Sequence, residues 1–392
     1  MRSPSQQRAP RAVRGAVELL IGTRKGAFRL KSDKDRKAWK LRGPDYLGQI
    51  IQHVVLDPRD KKTMLIAARP GHLGPSLFRS EDAGKTWKEA KKPPAFAKAK
   101  EGERARTVHH TFWLQAGHES EPGTWFAGTS PPALFKSTDG GDTWKSVKGF
   151  NECAENVHWI PPAEQAPPDG ATMHSLQIDP ADPKHMFVAA SAGGVFETTN
   201  GGRKWKPINK GVAMDFSPEE DPEYGHDPHC FGMHQMDPNR LWHQNHCGIY
   251  RMDRVAGEPD RWERVGDNMP KKVGDIGFPI VLHPRDPDTV WVFPMDGSSV
   301  WPRVSPGGKP AAYMTNDAGK TWKRQDRGFP QEQGWFTVKR QCMSQDSHDP
   351  LGVYLGTTSG EIWASTNEGK KWTCIVRHLP HIYSVEVAGQ QQ

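Results

Sequence analysis

Cysteine is scarce in this sequence, and long apolar runs are missing. The 392 residues include five cysteines, an odd number without a CxxC pair. Such a set does not form a convincing disulfide framework and favours a reducing compartment. No run of 18 apolar residues is present, and residues 1–15 lack the apolar core of a signal peptide. We therefore expect a cytoplasmic protein that makes no membrane contact.

Apolar content is also low. Hydrophobic residues make up 35% of the chain, whereas it holds 15 Trp, 39 Gly and 34 Pro, as in all-β chains with short strands and many turns. The net charge is +7, but the Lys and Arg residues are scattered, which favours a solvated surface over a nucleic-acid partner. We predict a disordered basic arm at residues 1–15, followed by one domain at residues 16–392.

One eight-residue phrase, small-x-Asp-x-Gly-x-Thr-Trp, is repeated along the chain. Five good copies, two of them with Asn in place of Asp, lie at residues 80–87, 137–144, 198–205, 315–322 and 365–372. Two degenerate copies lie at residues 32–39 and 253–262. The tryptophans that end the seven copies are 48 to 61 residues apart. A period of this size indicates an array of one supersecondary unit.

The phrase has the composition of a hairpin turn. Its Asp or Asn can accept backbone N–H groups of the turn, and its Gly supplies a positive φ. These residues resemble the Asp-box, or BNR, repeat of sialidases and of other β-propellers of the YVTN/BNR-like group. The resemblance covers almost the whole chain and implies a propeller with these turns on its outer hairpins, away from the axis.

The blade count follows from the strand pattern. Residues 17–23, 26–30 and 38–41 read as three strands, and residues 381–387 supply a fourth. Six further blades begin near residues 50, 107, 172, 228, 277 and 335. Pairing the terminal strands in one blade removes the exposed sheet edges. We therefore predict an all-β, seven-bladed β-propeller closed by its N- and C-terminal strands.

Histidines are numerous, and several share one register. The chain has 17, concentrated between residues 109 and 246. A second repeated turn, with Asp57 in the first copy, follows the innermost strand of each blade, and Gln52 lies five residues before it. Residues in the same register on equivalent strands point to the same side of their sheets, so the side chains at this position share one environment. In other blades the position is taken by His174, His229 and, if Leu114 is matched to Leu56, His110.

A loop histidine is expected at the same end of the axis. Aligning Gly248 with Gly194 places His246 at the tip of the loop between the second and third strands of its blade. Imidazoles on separate rigid strands suit a divalent Zn, Mn, Fe or Cu ion. We predict a metal site formed by His110, His174, His229 and His246, with a metal-free histidine cluster or a water-filled channel lining as alternatives.

Other side chains near this mouth are candidates for proton transfer and substrate binding. Glu155 and Asp227 are the predicted catalytic carboxylates, and Asp227 could equally orient an imidazole. Arg24 and Arg69 occupy equivalent loops and could hold an anionic group of a substrate. Trp159 offers a stacking face.

These residues predict a metal-assisted hydrolase or lyase that acts on an anionic, carbohydrate-like substrate. True sialidase activity is not expected, because the sequence lacks the Arg-Ile-Pro motif of sialidases, has seven blades rather than their six, and holds only six Tyr. Two alternatives remain open. One is a non-enzymatic binding or assembly propeller, and the other is a copper or iron redox enzyme. The oligomeric state is not predicted.

Overall fold

Seven four-stranded antiparallel sheets are arranged around one axis. The computed structural model describes residues 12–99, 101, 105–153, 170–215, 219–297 and 303–390. Each blade begins with an innermost strand that contacts the innermost strands of the neighbouring blades. The predicted seven-bladed β-propeller is therefore confirmed.

The strands are numbered in chain order. Blade 7 contains β1 (Glu18–Thr23), β2 (Gly26–Ser32) and β3 (Trp39–Asp45), together with the last strand of the chain. Blade 1 contains β4 (Ile50–Leu56), β5 (Met64–Arg69), β6 (Ser76–Ser80) and β7 (Lys88–Glu89). Blade 2 contains β8 (His110–Ala116), β9 (Trp125–Ser130), β10 (Leu134–Ser137) and β11 (Lys145–Ser146). Blade 3 contains β12 (Met173–Asp179), β13 (Asp182–Ala190), β14 (Gly194–Thr198) and β15 (Lys206–Pro207).

The remaining blades follow the same order. Blade 4 contains β16 (Pro228–His234), β17 (Asp237–Asn245), β18 (Gly248–Asp253) and β19 (Glu263–Arg264). Blade 5 contains β20 (Gly277–Leu282), β21 (Thr289–Pro294), β22 (Ala312–Asn316) and β23 (Lys323–Gln325). Blade 6 contains β24 (Met343–Gln345), β25 (Val353–Gly356), β26 (Ile362–Ser365) and β27 (Thr373–Val376), and β28 (Ile382–Val387) completes blade 7. The helical segments are α1 (Lys148–Asn151) and short 3-10 turns at Gly71–Leu73, Val265–Asn268 and Pro306–Gly308.

The ring closes by pairing of β1 with β28, as predicted. A buried polar contact joins the closing strand to blades 1 and 2. Nδ1 of His53 accepts the backbone N–H of Leu114 at 2.9 Å, so Nε2 carries the ring proton and donates it to Glu386 at 2.9 Å. Three consecutive blades therefore meet at one imidazole.

The five good copies of the repeated phrase form hydrogen-bonded turns between the third and fourth strands. In the first copy, Oδ1 of Asp82 accepts the N–H groups of Lys85 and Thr86 at 3.0 and 2.9 Å. The Ser80 hydroxyl donates to the same carboxylate and accepts the N–H of Gly84. These hydrogen bonds lower the pKa of Asp82 below its usual range. The turns therefore stabilise the outer hairpins and leave the axis free for other side chains.

The innermost strands carry a bulge near their starts. Pairing shifts register at Gln52 in β4 and at Phe112 in β8, with similar shifts in β12, β16 and β20. Gly117 closes the blade 2 turn through its backbone N–H as Asp57 does in blade 1. The residue that matches Gln52 is therefore Phe112, and the alignment that gave this position to His110 was two residues out of register.

Blade faces pack on one another through apolar side chains. The largest fully buried ones are aromatic, including Trp125, Trp242, Trp291 and Trp372. All five cysteines lie in described segments, and no disulfide joins any two of them. Within the described segments, no helix has both the length and the apolar character needed to cross a membrane.

The predicted N-terminal arm is described only in part. Residues 1–11 lie outside the described segments. The backbone N–H of Val13 donates to Ser347 at 2.9 Å, and the carbonyl of Gly15 accepts a bond from His348 at 3.0 Å. Residues 13 and 15 are therefore attached to blade 6.

Candidate metal centre at the mouth of the axis

Blade 4 brings two imidazoles and a carboxylate together where its innermost strand begins. Asp227 immediately precedes β16, His229 occupies the bulge of β16, and His246 lies in the turn between β17 and β18. The backbone N–H of His246 donates to the carbonyl of Asp227 at 3.0 Å, which fixes the turn against the strand. Rigid backbone thus positions all three side chains.

The ligand atoms of these residues lie within 4.8 Å of one another. Oδ2 of Asp227 is 3.5 Å from Nε2 of His229 and 3.7 Å from Nδ1 of His246. The exposed fractions of the side chains are 2% for His229, 16% for Asp227 and 33% for His246. We call these three residues the Asp–His centre. It is a recess that solvent reaches mainly past His246.

The tautomer of His229 follows from its other contact. Nδ1 of His229 lies 2.5 Å from the backbone carbonyl of Gly277, which can only accept, so Nδ1 carries the proton. Burial lowers the pKa of His229 against the opposing effect of Asp227, so the ring is neutral at neutral pH and Nε2 presents a lone pair. A ring nitrogen fixed by a backbone carbonyl, with the other nitrogen open, is the usual arrangement of a metal-ligating histidine.

The carboxylate of Asp227 is also short of donors. Burial opposes its ionisation, but His229, Arg340 and His246 lower the pKa of Asp227 well below its usual range. Its Oδ1 is buried and accepts no hydrogen bond from any described residue. Oδ2 of Asp227 and Nε2 of His229 therefore face each other at 3.5 Å, and a divalent cation between the two atoms could bind both.

His174 is adjacent to the Asp–His centre but plays a different part from the one predicted. Its Nε2 donates to the carbonyl of Pro228 at 2.9 Å, and Nδ1 contacts the Ser175 hydroxyl at 2.8 Å. Burial, with the charge of Arg340, lowers the pKa of His174 to about 3. Both ring nitrogens are occupied, so His174 holds the residue between Asp227 and His229 in place.

His110 is likewise outside the Asp–His centre. Its Nδ1 lies 2.9 Å from Nδ1 of the neighbouring His109, and its ring is 6.0 Å from Phe112. The predicted set of four histidine ligands is therefore not assembled. His229 and His246 meet as expected, and the third group beside them is Asp227 rather than a histidine.

The other predicted residues are spread over different parts of the chain. Arg24 is exposed in the turn after β1, and Arg69 is partly buried at the end of β5. Burial lowers the pKa of His109, and the charge of Arg69 lowers it further. Glu155 and Trp159 lie outside the described segments. Arg24 and Arg69 are not part of the Asp–His centre.

A cationic flank next to the centre was missed. The ring of Phe278 lies 4.7 Å from that of His229, and the Lys339 ammonium and Arg340 guanidinium lie 5.2 and 4.8 Å from the centre of the same ring. Burial lowers the pKa of His246, and the charges of Arg303 and Arg340 contribute to this shift. Blade 6 keeps a copy of the second turn at Asp346, whose backbone N–H donates to the Gly352 carbonyl as that of Asp57 donates to Thr63. Gln341 lies five residues before this turn and Arg340 is next to it, but this copy was not used to set the register.

Comparisons with known proteins find similarity to a protein named as a xyloglucanase. No protein-family model matches the chain. It is 25% identical over 353 residues to a probable oligoxyloglucan-reducing end-specific xyloglucanase of Neosartorya fischeri, which covers 82% of this chain and 38% of the relative. The chain thus spans under two fifths of the length of that relative.

Two solved structures share the fold. A GH74 enzyme of Niastella koreensis superposes with a TM-score of 0.62 and 15% identity over 94% of this chain and 55% of its own. A GH74 xyloglucanase of Xanthomonas campestris superposes with a TM-score of 0.60 and 18% identity over 93% and 53%. At these identities the structural likeness shows a shared fold only, and the activity has to be argued from the site.

Proposed function

We propose that the chain is a carbohydrate-active hydrolase and that the Asp–His centre is its divalent metal site. The observation that carries the proposal is the convergence of Asp227, His229 and His246, whose ligand atoms lie within 4.8 Å of one another. The xyloglucanase named among the relatives supports hydrolysis of a glycan over lyase chemistry.

Two imidazoles and one carboxylate form a donor set found in hydrolytic zinc enzymes, with further positions open to water or substrate. A divalent ion held there would polarise a sugar oxygen or a water molecule. The carbonyl of Gly277 orients His229, and His174 restrains the backbone that carries Asp227. The chain's own contribution is therefore a preorganised set of ligands on a rigid strand.

The proposed substrate carries negative charge. Arg303, Lys339 and Arg340 lie beside the Asp–His centre, where they could receive a carboxylate or stabilise charge on a leaving oxygen. This flank takes over the role first assigned to Arg24 and Arg69. Glu155 remains a candidate for proton transfer.

Metal titration tests the proposal directly. Chelator-treated protein should take up one equivalent of zinc or manganese per chain, measured by calorimetry and elemental analysis. Asp227→Asn and His246→Ala should each weaken uptake by at least about 100-fold, because each removes a ligand. His378→Asn is the matched control, since this exposed histidine has a left-handed φ of 65° that Asn adopts readily. Unchanged uptake in both site variants would refute the metal site.

Activity is then measured on neutral xyloglucan oligosaccharides and on oligogalacturonate as an anionic probe, by release of reducing ends. The chelated protein should be inactive and should recover with the added ion. Preference for the neutral probe would refute the anionic substrate while leaving the hydrolase intact.

The same ligand set favours a second candidate function. Two histidines and one carboxylate with open positions are also the ligands of non-haem iron(II) oxygenases. In that case iron(II) alone would restore turnover, and turnover would require oxygen. Activity with zinc under anaerobic conditions would exclude this candidate.

A further inference from the structure

A cavity lies on the axis beyond the Asp–His centre. It has a volume of about 130 Å³ and extends along β16 from Cys230, next to His229, to His234 and Gln235, where the innermost strands finish. His229 and His234 are five residues apart, so the far end of the cavity lies roughly 16 Å from the centre at 3.3 Å per residue. Asp227, His229 and His246 do not line the cavity, so the cavity and the metal centre are different sites.

Side chains from blade 6 separate the two sites. The amide nitrogen of Gln341 donates to the carbonyl of Phe112 in blade 2 at 2.6 Å, which spans the axis because blades 7 and 1 lie between these blades in the ring. Arg340, beside it, lies over the ring of Phe278 and also lines the cavity. The Gln341 amide and Arg340 thus form a floor between the mouth and the cavity.

The cavity contains buried polar atoms that the protein does not satisfy. Gln341 is 3% exposed and Ser344 is 8% exposed, and both line the cavity. Oε1 of Gln341 and Oγ of Ser344 have no hydrogen-bond partner among the described residues. Buried polar groups are almost always paired, so these two atoms are available to bind a molecule inside the cavity.

The charges of the lining balance each other. Arg340 contributes a positive charge, and Glu386 contributes a negative one while accepting the Nε2 proton of His53. Glu386 would repel an anionic ligand and Arg340 would repel a cationic one, so a neutral ligand is favoured. The remaining polar lining is dominated by amides that both donate and accept, contributed by Gln177, Gln235, Gln341, Gln345 and Gln390.

We propose that this cavity is a second binding site, for a neutral polyhydroxylated molecule of the size of one sugar ring. Hydroxyl groups both donate and accept, so they match the amides and can pair with the open atoms of Gln341 and Ser344. Trp113 provides an apolar wall for the face of the ring. This site does not depend on the proposed hydrolase activity or on a metal.

The test uses glucose and xylose as neutral probes, with glucuronate and glucosamine as charged counterparts. Binding to the full chain is measured by ligand-observed NMR and calorimetry. The neutral sugars should bind at least ten-fold more tightly than either charged sugar. Ser344→Leu, which fills the cavity, should weaken this binding at least ten-fold without changing metal uptake.

His246→Ala is the matched control, because it alters the mouth and leaves the cavity intact. It should retain neutral-sugar binding. If Ser344→Leu does not fold, Gln235→Ala at the edge of the cavity replaces it and should weaken binding several-fold. Equal or tighter binding of a charged sugar, loss of binding in His246→Ala, or a crystal structure soaked in glucose that shows only ordered water would each overturn the proposal.

Discussion

The hydrogen bonds of each buried histidine distinguish the one that can bind a metal from the one that supports the site. His229 donates one ring proton to the Gly277 carbonyl and leaves its second nitrogen open toward Asp227. His174 also donates to a carbonyl, but its second nitrogen is taken by Ser175. Both are fully buried and both are neutral at neutral pH. Their different surroundings therefore give the same residue type two roles.

A third histidine gives a prediction about pH. His185 lies between Asp179 and Glu197, at 2.8 Å from each. Burial lowers the pKa of His185, but the two carboxylates raise it from 6.5 to about 9. Its contribution to the free energy of unfolding is therefore complete below pH 6.5 and is lost as pH rises through about 9.

His185→Gln should remove this dependence. Between pH 6.5 and 9.5, the free energy of unfolding of the wild type should fall by roughly 2–3 kcal/mol more than that of the variant. Urea denaturation at several pH values measures both. Parallel curves would show that the carboxylates do not bind a protonated ring. Below pH 4.5 both proteins should lose stability, because Glu197 and Asp179 have lowered pKa values that favour ionisation in the folded state.

At the scale of elements, the contact between β12 and β16 holds the ligands of the Asp–His centre in position. His174 reaches blade 4 through a hydrogen bond to the carbonyl of Pro228, the residue between Asp227 and His229. Small displacements of metal ligands are costly, and supporting residues commonly change metal affinity by 10–100-fold.

We expect His174→Leu to weaken metal binding about ten-fold while keeping a stoichiometry of one. His174→Gln should recover most of the affinity, because its amide can donate to the same carbonyl. Calorimetric titration of both variants with zinc provides the measurement. Equal affinities for the two variants would assign His174 a packing role only.

At the scale of the whole molecule, the ring depends on a few contacts across its closure. His53 connects blade 1 to β28 through Glu386 and to blade 2 through the backbone of Leu114. His53→Leu would leave a buried carboxylate and a buried N–H without partners. We predict a loss of about 3 kcal/mol in the free energy of unfolding.

Urea denaturation compares this variant with His378→Asn, which should change stability by less than about 0.5 kcal/mol. The double variant His53→Leu with Glu386→Leu should recover part of the loss, since it removes the unpaired carboxylate. A double variant that is no more stable than His53→Leu would contradict the explanation that the unpaired carboxylate causes the loss.

The repeat pattern was enough to predict the architecture. Tryptophans at regular intervals and complementary terminal strands define seven blades without reference to any long-range contact. The site was predictable only where the second turn phrase is intact. His229 was placed correctly because β16 keeps that phrase, whereas blade 2 ends its inner strand at Gly117 and shifts the register of His110 by two residues.

The spacing of residues in the sequence does not predict which side chains contact each other in the folded protein. Asp227 was considered as a catalytic group or an orienting partner, but its open Oδ1 and its distance from His229 are properties of folded geometry. Arg340 lies beside Gln341, five residues before the blade 6 turn at Asp346, and this copy of the turn was not used to set the register. The cavity behind it depends on contacts between blades that are far apart in sequence.

The amide of Gln341 has a practical consequence for anyone who wishes to alter this molecule. Its 2.6 Å hydrogen bond to Phe112 and the side chain of Arg340 together separate the two faces of the ring. Each face can therefore be redesigned independently as long as these two side chains are kept.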